Sequence, residues 1–258
     1  MTLDGSSKIC ARTHSGLKRK ENQDSHLVIN RSTGGIGTED FRMVLAVADG
    51  MGGHAAGLKA SRMACEGLRC YYDQHVKTFE SLGTPEAKLM ILEEVIRNIH
   101  ADIHSHAEVN QEDAGMGTTL SVLVVLGNVG LLAHVGDSRI YRLRDSVLEQ
   151  LTEDQTMAQL SVEMGYLQKD EAIQHPLRHM LTDAVGLGVD DIQTGAQEVR
   201  KGDTLLLCSD GLHHQVSDGE IKAILERSAV GGVVCDGLIQ AAMDRGGEDN
   251  ITVIVLRV

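Results

Sequence analysis

The 258-residue sequence has no tryptophan, two phenylalanines and four tyrosines. Yet 42% of it is apolar, so the core must be aliphatic, and the chain is too hydrophobic to stay disordered. Positive charge is also scarce: 24 Lys and Arg stand against 37 Asp and Glu, a formal net charge of -13. Such a field repels phosphate backbones and anionic lipid, which sets aside nucleic acid and a membrane surface as main partners. An anionic substrate would need cations supplied at its site.

Proline occurs only at Pro85 and Pro176, and no repeat, low-complexity tract or Pro-rich linker appears. One domain over 1–258 is therefore expected. The five cysteines contain no C-x-x-C pair and are odd in number, which excludes a zinc ribbon and argues against a disulfide framework. A reducing, cytoplasmic setting is the simpler expectation. The polar opening Met1–Lys8 is followed by no apolar h-region, so no secretory signal is expected. Gly-Lys never occurs, which removes a P-loop. No cysteine has an arginine six positions later, which removes a thiol-based phosphatase; the cysteines read as small core or surface residues.

The longest stretch without Asp, Glu, Lys or Arg, Ala114 to Gly136, could span a bilayer by length. Ser121, Asn128 and His134 interrupt it, and Gly127-Asn128 divides it into two strands of a hairpin. Further strand-length apolar runs lie at Ser25–Asn30, Met43–Ala48, Arg139–Leu143, Val147–Leu151, Thr204–Cys208 and Ile251–Val258. Short connections such as Arg144-Asp145-Ser146 imply antiparallel pairing. Two long helices are expected between Ala48 and Leu120; in the second, Leu89, Leu92, Ile96, Ile99 and Ile103 fall on one face. Ser217 and Glu220 form a capping box before another helix. The pattern is an α+β fold with helices packed on sheet faces. Glu153–Gly195, polar and broken by glycines, reads as an insertion that shapes a site.

Four aspartates punctuate the apolar runs: Asp49, Asp137 and Asp210 follow strands, and Asp249 precedes one. Any single Asp-Gly is an ordinary turn, and the chain has five, so the joint pattern carries the reading. Carboxylates gathered at one sheet edge repel each other, and hard divalent cations such as Mg²⁺ or Mn²⁺ relieve that repulsion. Two such ions could clamp a phosphoryl group. An acidic protein could then accept an anionic substrate.

Six strings extend this pattern: Arg19–Asp24 (RKENQD), Ala48–His54 (ADGMGGH), Gly117–Thr119 (GTT), Gly136–Arg139 (GDSR), Ser209–Leu212 (SDGL) and Glu248–Ile251 (EDNI). In this order, from His14 to Val258, the chain resembles the metal-dependent protein phosphatases of the 2C type, bacterial form. The resemblance implies a four-layer α-β-β-α sandwich of two antiparallel sheets flanked by helix pairs. It also implies hydrolysis of phosphoserine and phosphothreonine by a hydroxide bridging two divalent metals, Mn²⁺ or Mg²⁺. Asp49 would bridge the metals and the Gly50 carbonyl would bind the second. Asp210 and Asp249 would complete the first, and Asp137 with Asp210 a weaker third. Asp24 would hold metal-bound water, and Arg19 the substrate phosphate. Phosphorylated proteins would be the partners, including a eukaryotic-type Ser/Thr kinase or its substrates, with the enzyme a monomer.

The sequence departs from the family pattern at four places. Met51 stands where animal members carry a histidine proposed as general acid, and Gln23 where a glutamate is common. In the flap-like insertion, 153–195, Gln155 replaces a frequent histidine and Asp183 a frequent arginine. Two rival readings use the same residues. Gly50–Ala55 fits the dinucleotide pattern G-x-G-x-x-A, with Glu66 or Asp73 at the spacing of a ribose-binding acid, although hairpin-joined strands oppose it. A non-catalytic phosphoprotein-binding module of the same fold would have been favoured by loss of Asp49, Asp210 or Asp249; all are present. His100 and His104, at helical spacing without an intervening glutamate pattern, read as helix-face residues.

Overall fold

A computed structural model describes residues 9–32, 42–53, 55–227 and 231–258. Met1–Lys8 and His54 of the second string lie outside the described residues. The chain begins β1 (Ile9–His14), β2 (Asp24–Asn30), β3 (Arg42–Met51), α1 (Ala56–Ser81) and α2 (Pro85–Val109). It continues with β4 (Gly117–Thr118), β5 (Leu120–Leu126), β6 (Val129–Val135), β7 (Arg139–Arg144) and β8 (Val147–Gln150). After α3 (Met157–Glu163), α4 (Lys169–Ala172) and a 3-10 turn at Pro176–His179 come β9 (Gln193–Glu198) and β10 (Thr204–Cys208). α5 (Asp210–His213), α6 (Asp218–Arg227), α7 (Gly231–Asp244) and β11 (Ile251–Arg257) complete it.

One sheet runs β1-β11-β10-β7-β8 and the other β2-β3-β5-β6-β9, with β4 beside β3. The pairings between these strands are antiparallel. Each central strand is apolar on both faces because each sheet is covered on both. On β3, Met43, Leu45 and Val47 enter the core between the sheets, while Val44, Ala46 and Ala48 face α1 and α2. On β11, Ile254 and Leu256 point between the sheets and Ile251, Val253 and Val255 toward α6 and α7. The result is the expected four-layer α-β-β-α sandwich, with aliphatic side chains filling all three interfaces. Among the described residues, the antiparallel sheets leave no βαβ unit for the dinucleotide pattern.

The hairpin within 114–136 is present, with Leu126 opposite Val129. None of the helices among the described residues is long and apolar enough to cross a membrane. The segment 153–195 carries α3, α4 and the 3-10 turn, and its last three residues open β9.

The cysteine expectation needs correction. Cys10 on β1 and Cys235 on α7 form a disulfide, while Cys65, Cys70 and Cys208 are free. An odd count excludes complete pairing but not one bridge, and these partners lie 225 residues apart. They meet because α7 packs on β1 and β11.

His134 on β6 ties the insertion to this frame. Its Nε2 donates to the Glu153 carbonyl oxygen (3.1 Å), and its Nδ1 lies 2.8 Å from Ser121 Oγ, whose hydroxyl also reaches the Ser138 carbonyl (2.9 Å). Complete burial pulls the imidazole pKa down to about 4, although the Asp154 charge opposes this. An unfolded histidine takes up its proton near pH 6.5, so the folded state gives up stability as pH falls from about 6.5 to 4, by up to about 3 kcal/mol. An NMR titration should show His134 neutral down to about pH 4; titration near 6.5 would contradict this account.

Candidate active site

The proposed ligands converge because strand ends and the loops beside them meet at one edge of the sandwich. Asp24 opens β2 directly opposite Asp49 near the end of β3. Asp137 sits in the turn between β6 and β7, Asp210 opens α5 after β10, and Asp249 precedes β11. Backbone bonds fix these positions. The Asp49 N–H donates to Thr119 Oγ1 and its carbonyl accepts from Thr119 N–H, both at 2.9 Å. Gly50 N–H donates to the Gln23 carbonyl (3.2 Å). Asn250 fastens the loop before β2: its Nδ2 donates to Ser15 and Glu21 carbonyls (3.0 Å each), and its Oδ1 accepts from Gln23 N–H (2.7 Å).

The electrostatics show why the cluster calls for cations. Burial raises the Asp49 carboxyl well above the usual range, and the charges of Asp24, Asp210 and Asp137 add to this. Asp137 is raised for the same first reason and then by Asp210 and Asp154. Asp24 is pushed up to about 7 by burial, against hydrogen bonds including one from the Ser209 hydroxyl to its Oδ2 (2.8 Å). Asp210 goes the other way: burial opposes ionisation, but the His214 hydrogen bond and the His214 and His213 charges outweigh it. Arg19 donates to Asp249 at 2.6 Å, which is the main reason its own pKa rises. Arg19 also feels the charges of Asp210 and Asp49, which places all these residues in one field.

Asp24 Oδ1 and Asp210 Oδ1 are buried without a hydrogen-bond partner. Partnerless carboxylate oxygens beside raised-pKa carboxylates are the donor set of hard divalent cations, so the residues present fit the implied metals.

Sequence reasoning missed the histidines. His213 Nε2 donates to the Asp137 carbonyl (3.0 Å), His214 Nδ1 lies 3.1 Å from Asp210 Oδ2, and His179 from the insertion packs edge-on against His214. His100 and His104 do more than occupy a helix face: His100 Nδ1 accepts from Gly186 N–H (2.9 Å) and His104 Nδ1 pairs with the Gly186 carbonyl (3.1 Å). They anchor the far end of the insertion to α2. Gln155, at the position of a frequent histidine, accepts from Gly136 N–H (2.7 Å) and so touches the turn that carries Asp137. Asp183 accepts from the N–H groups of Asp190 and Asp191, closing the insertion on itself.

Crowded carboxylates have little chemistry of their own to offer a neutral substrate. With divalent cations between them and an arginine at the rim, they suit a tetrahedral dianion, which is the working arrangement of a metal-dependent phosphatase. The family model of protein phosphatase 2C matches residues 16–233. The serine/threonine phosphatase stp of Listeria innocua is 36% identical over 246 residues, 95% of this chain and 93% of that protein. The crystal structure of the Mycobacterium tuberculosis serine/threonine phosphatase PstP/Ppp superposes with a TM-score of 0.82 at 36% identity, covering 97% of this chain and 98% of that one. A structure of the PstP catalytic domain in complex with two manganese ions gives 0.79 at 36% identity, with 96% of each chain covered. The chain belongs to the protein phosphatase 2C family. It is a metal-dependent serine/threonine protein phosphatase, acting on phosphorylated proteins.

Proposed function

We propose that the chain hydrolyses phosphoserine and phosphothreonine by direct in-line attack of water, with no phosphoenzyme. Bound at Asp49, the Gly50 carbonyl, Asp210 and Asp249, two divalent cations, Mn²⁺ or Mg²⁺, would supply an activated water and neutralise charge on the phosphoryl group, with a weaker third near Asp137 and Asp210. The observation that carries this is the pair of buried, partnerless oxygens, Asp24 Oδ1 and Asp210 Oδ1, in a cluster where burial raises the carboxyls of Asp24, Asp49 and Asp137. Asp24, held through Oδ2 by Ser209, is placed to orient the attacking water at Oδ1. Arg19 is half exposed and pairs with Asp249. With Asp249 turned to a cation, its guanidinium fork is released for phosphate oxygens. Met51 cannot deliver a proton, so the leaving alkoxide takes its proton from elsewhere.

Excess EDTA should abolish hydrolysis of p-nitrophenyl phosphate and of a phosphothreonine peptide, and Mn²⁺ or Mg²⁺ should restore both. Sustained turnover in EDTA would sink the reading. Arg19→Ala should raise KM for phosphopeptides roughly tenfold or more with a smaller change in kcat, because a contact to the non-bridging oxygens holds ground and transition states alike. Unchanged kinetics would remove Arg19 from this role.

The same proposal extends to a single catalytic domain over 1–258, in which 153–195 forms the flap, and to a monomer that opposes a eukaryotic-type Ser/Thr kinase. A cytoplasmic setting is supported by the exposed free thiol of Cys70, and the Cys10–Cys235 bridge weighs against it.

A further inference from the structure

We propose that His179, Asp210 and His214 form a nitrogen-bearing cation site that takes a borderline transition metal, Zn²⁺ or Co²⁺, and fastens the 153–195 insertion to the catalytic core. The site rests on the dinuclear reading only in sharing the Asp210 carboxylate. His179 ends the 3-10 turn Pro176–His179 of the insertion, whereas Asp210 and His214 stand one turn apart at α5. One ligand atom from each of the three lies within 4.8 Å of the others. Around a tetrahedral cation with bonds of about 2.0–2.1 Å, ligand atoms are separated by roughly 3.3 Å. His214 Nδ1 and Asp210 Oδ2, at 3.1 Å, already stand near that separation. The His179 and His214 rings meet edge-on with centroids 4.6 Å apart, so the third ligand needs only a small ring movement.

The two oxygens of Asp210 divide the work. Oδ1 is buried and partnerless, and Oδ2 faces His214. One carboxylate can therefore serve the dinuclear pair through Oδ1 and the histidine site through Oδ2. A cation at Oδ2 with two imidazoles is distinct from the weaker third cation proposed near Asp137, with which it shares only the Asp210 carboxylate. Two imidazoles and one carboxylate make a three-ligand set that leaves a fourth position open, and they favour Zn²⁺ or Co²⁺ over Mg²⁺, which prefers oxygen and sheds water reluctantly. Of the three ligands His214 lines a cavity of ≈ 990 Å³ between the insertion and α5–α6, beside His213, Arg178 and Asp218.

Binding carries one local cost. Arg178 Nε donates to His179 Nε2 at 3.1 Å. A metal-bound neutral imidazole keeps its proton on the other nitrogen, so a cation at either nitrogen of His179 ends that contact. Because His179 belongs to the insertion and the other two ligands to the core, filling the site cross-links them.

Zn²⁺ equilibrium dialysis and Co²⁺ visible absorption test this on the full chain, comparing wild type with His179→Gln, His214→Gln and the double variant. Wild type should bind one more Zn²⁺ than the double variant, and each single change should weaken that extra ion by at least about tenfold. The Co²⁺ bands of a nitrogen-ligated site should appear in wild type, vanish in the double variant and persist in Asp137→Asn. Zn²⁺ should also slow proteolysis of the insertion in wild type but not in His179→Gln. His179 is exposed, so His179→Gln keeps the test valid where His214→Gln disturbs folding. In Asp249→Asn the Co²⁺ bands should remain while Mn²⁺ stoichiometry falls; an unchanged Mn²⁺ stoichiometry there strikes the dinuclear reading alone. Equal Zn²⁺ stoichiometry and identical Co²⁺ spectra in wild type and the double variant overturn the histidine site.

Discussion

Asp49→Asn should lower kcat by at least about a thousandfold and, in EDTA, should raise the stability of the protein by on the order of 1 kcal/mol or more. The two effects have one origin. Asp49 is buried opposite Asp24 and within the field of Asp210 and Asp137, so without a cation its ionised form is unfavourable in the folded state. Asparagine keeps the shape and removes the charge, while the backbone bonds to Thr119 stay in place. In saturating Mn²⁺ the order should invert. A ligand that binds only the folded state stabilises it by about 2.7 kcal/mol at a concentration of one hundred times its Kd, and the variant forfeits most of that gain. Urea unfolding with EDTA and with Mn²⁺, alongside kcat, checks both halves. A variant less stable than wild type in EDTA would mean that the carboxylates do not strain the metal-free fold.

Most of the frame was legible because its strands are covered on both faces and therefore appear as uninterrupted apolar runs. Thr204–Cys208 begins and ends as the sequence indicates, and Leu120–Leu126 and Val129–Val135 meet at the Gly127-Asn128 turn it marks. Of the edge strands, β2 and β8 were legible as Ser25–Asn30 and Val147–Leu151, whereas β1 and β9 were not. β1 buries only Ile9 and Cys10 and turns polar by His14, and β9 reads QTGAQE with no large apolar residue. Their pairing partners, β11 and β6, define them instead. At the site, the aspartates stood out because each closes or precedes an apolar run. The histidines did not: His213-His214 carries no spacing signal, and His179 acquires meaning only when the insertion folds back on α5. The Arg19–Asp249 pair, 230 residues apart, and the Cys10–Cys235 bridge are likewise products of tertiary packing that no local pattern encodes.

Gly50→Ala should destabilise the protein by about 3 kcal/mol or more, whereas Gly53→Ala, three residues on in the loop after β3, should stay within about 0.5 kcal/mol of wild type. Gly50 needs no special backbone conformation; what it lacks is room. A Cβ there would lie 2.1 Å from the Gly57 carbonyl oxygen and 2.6 Å from that of Gln23. Both are main-chain atoms, so relief requires α1 or the loop before β2 to move. That close approach is prepared by the small residues Gly57, Ala60, Ser61 and Ala64 on the buried face of α1, against Ala46 and Ala48 of β3. Gly53, by contrast, has nothing within 4 Å of its added Cβ. Because the Gly50 carbonyl and the Asp49 carboxylate are both proposed ligands, displacing α1 should also weaken Mn²⁺ binding, measured by titration calorimetry at a temperature where the variant is still folded. If Gly50→Ala matched Gly53→Ala in both unfolding midpoint and Mn²⁺ affinity, the contact between β3 and the first turn of α1 would not be what positions the metal-binding end of the strand.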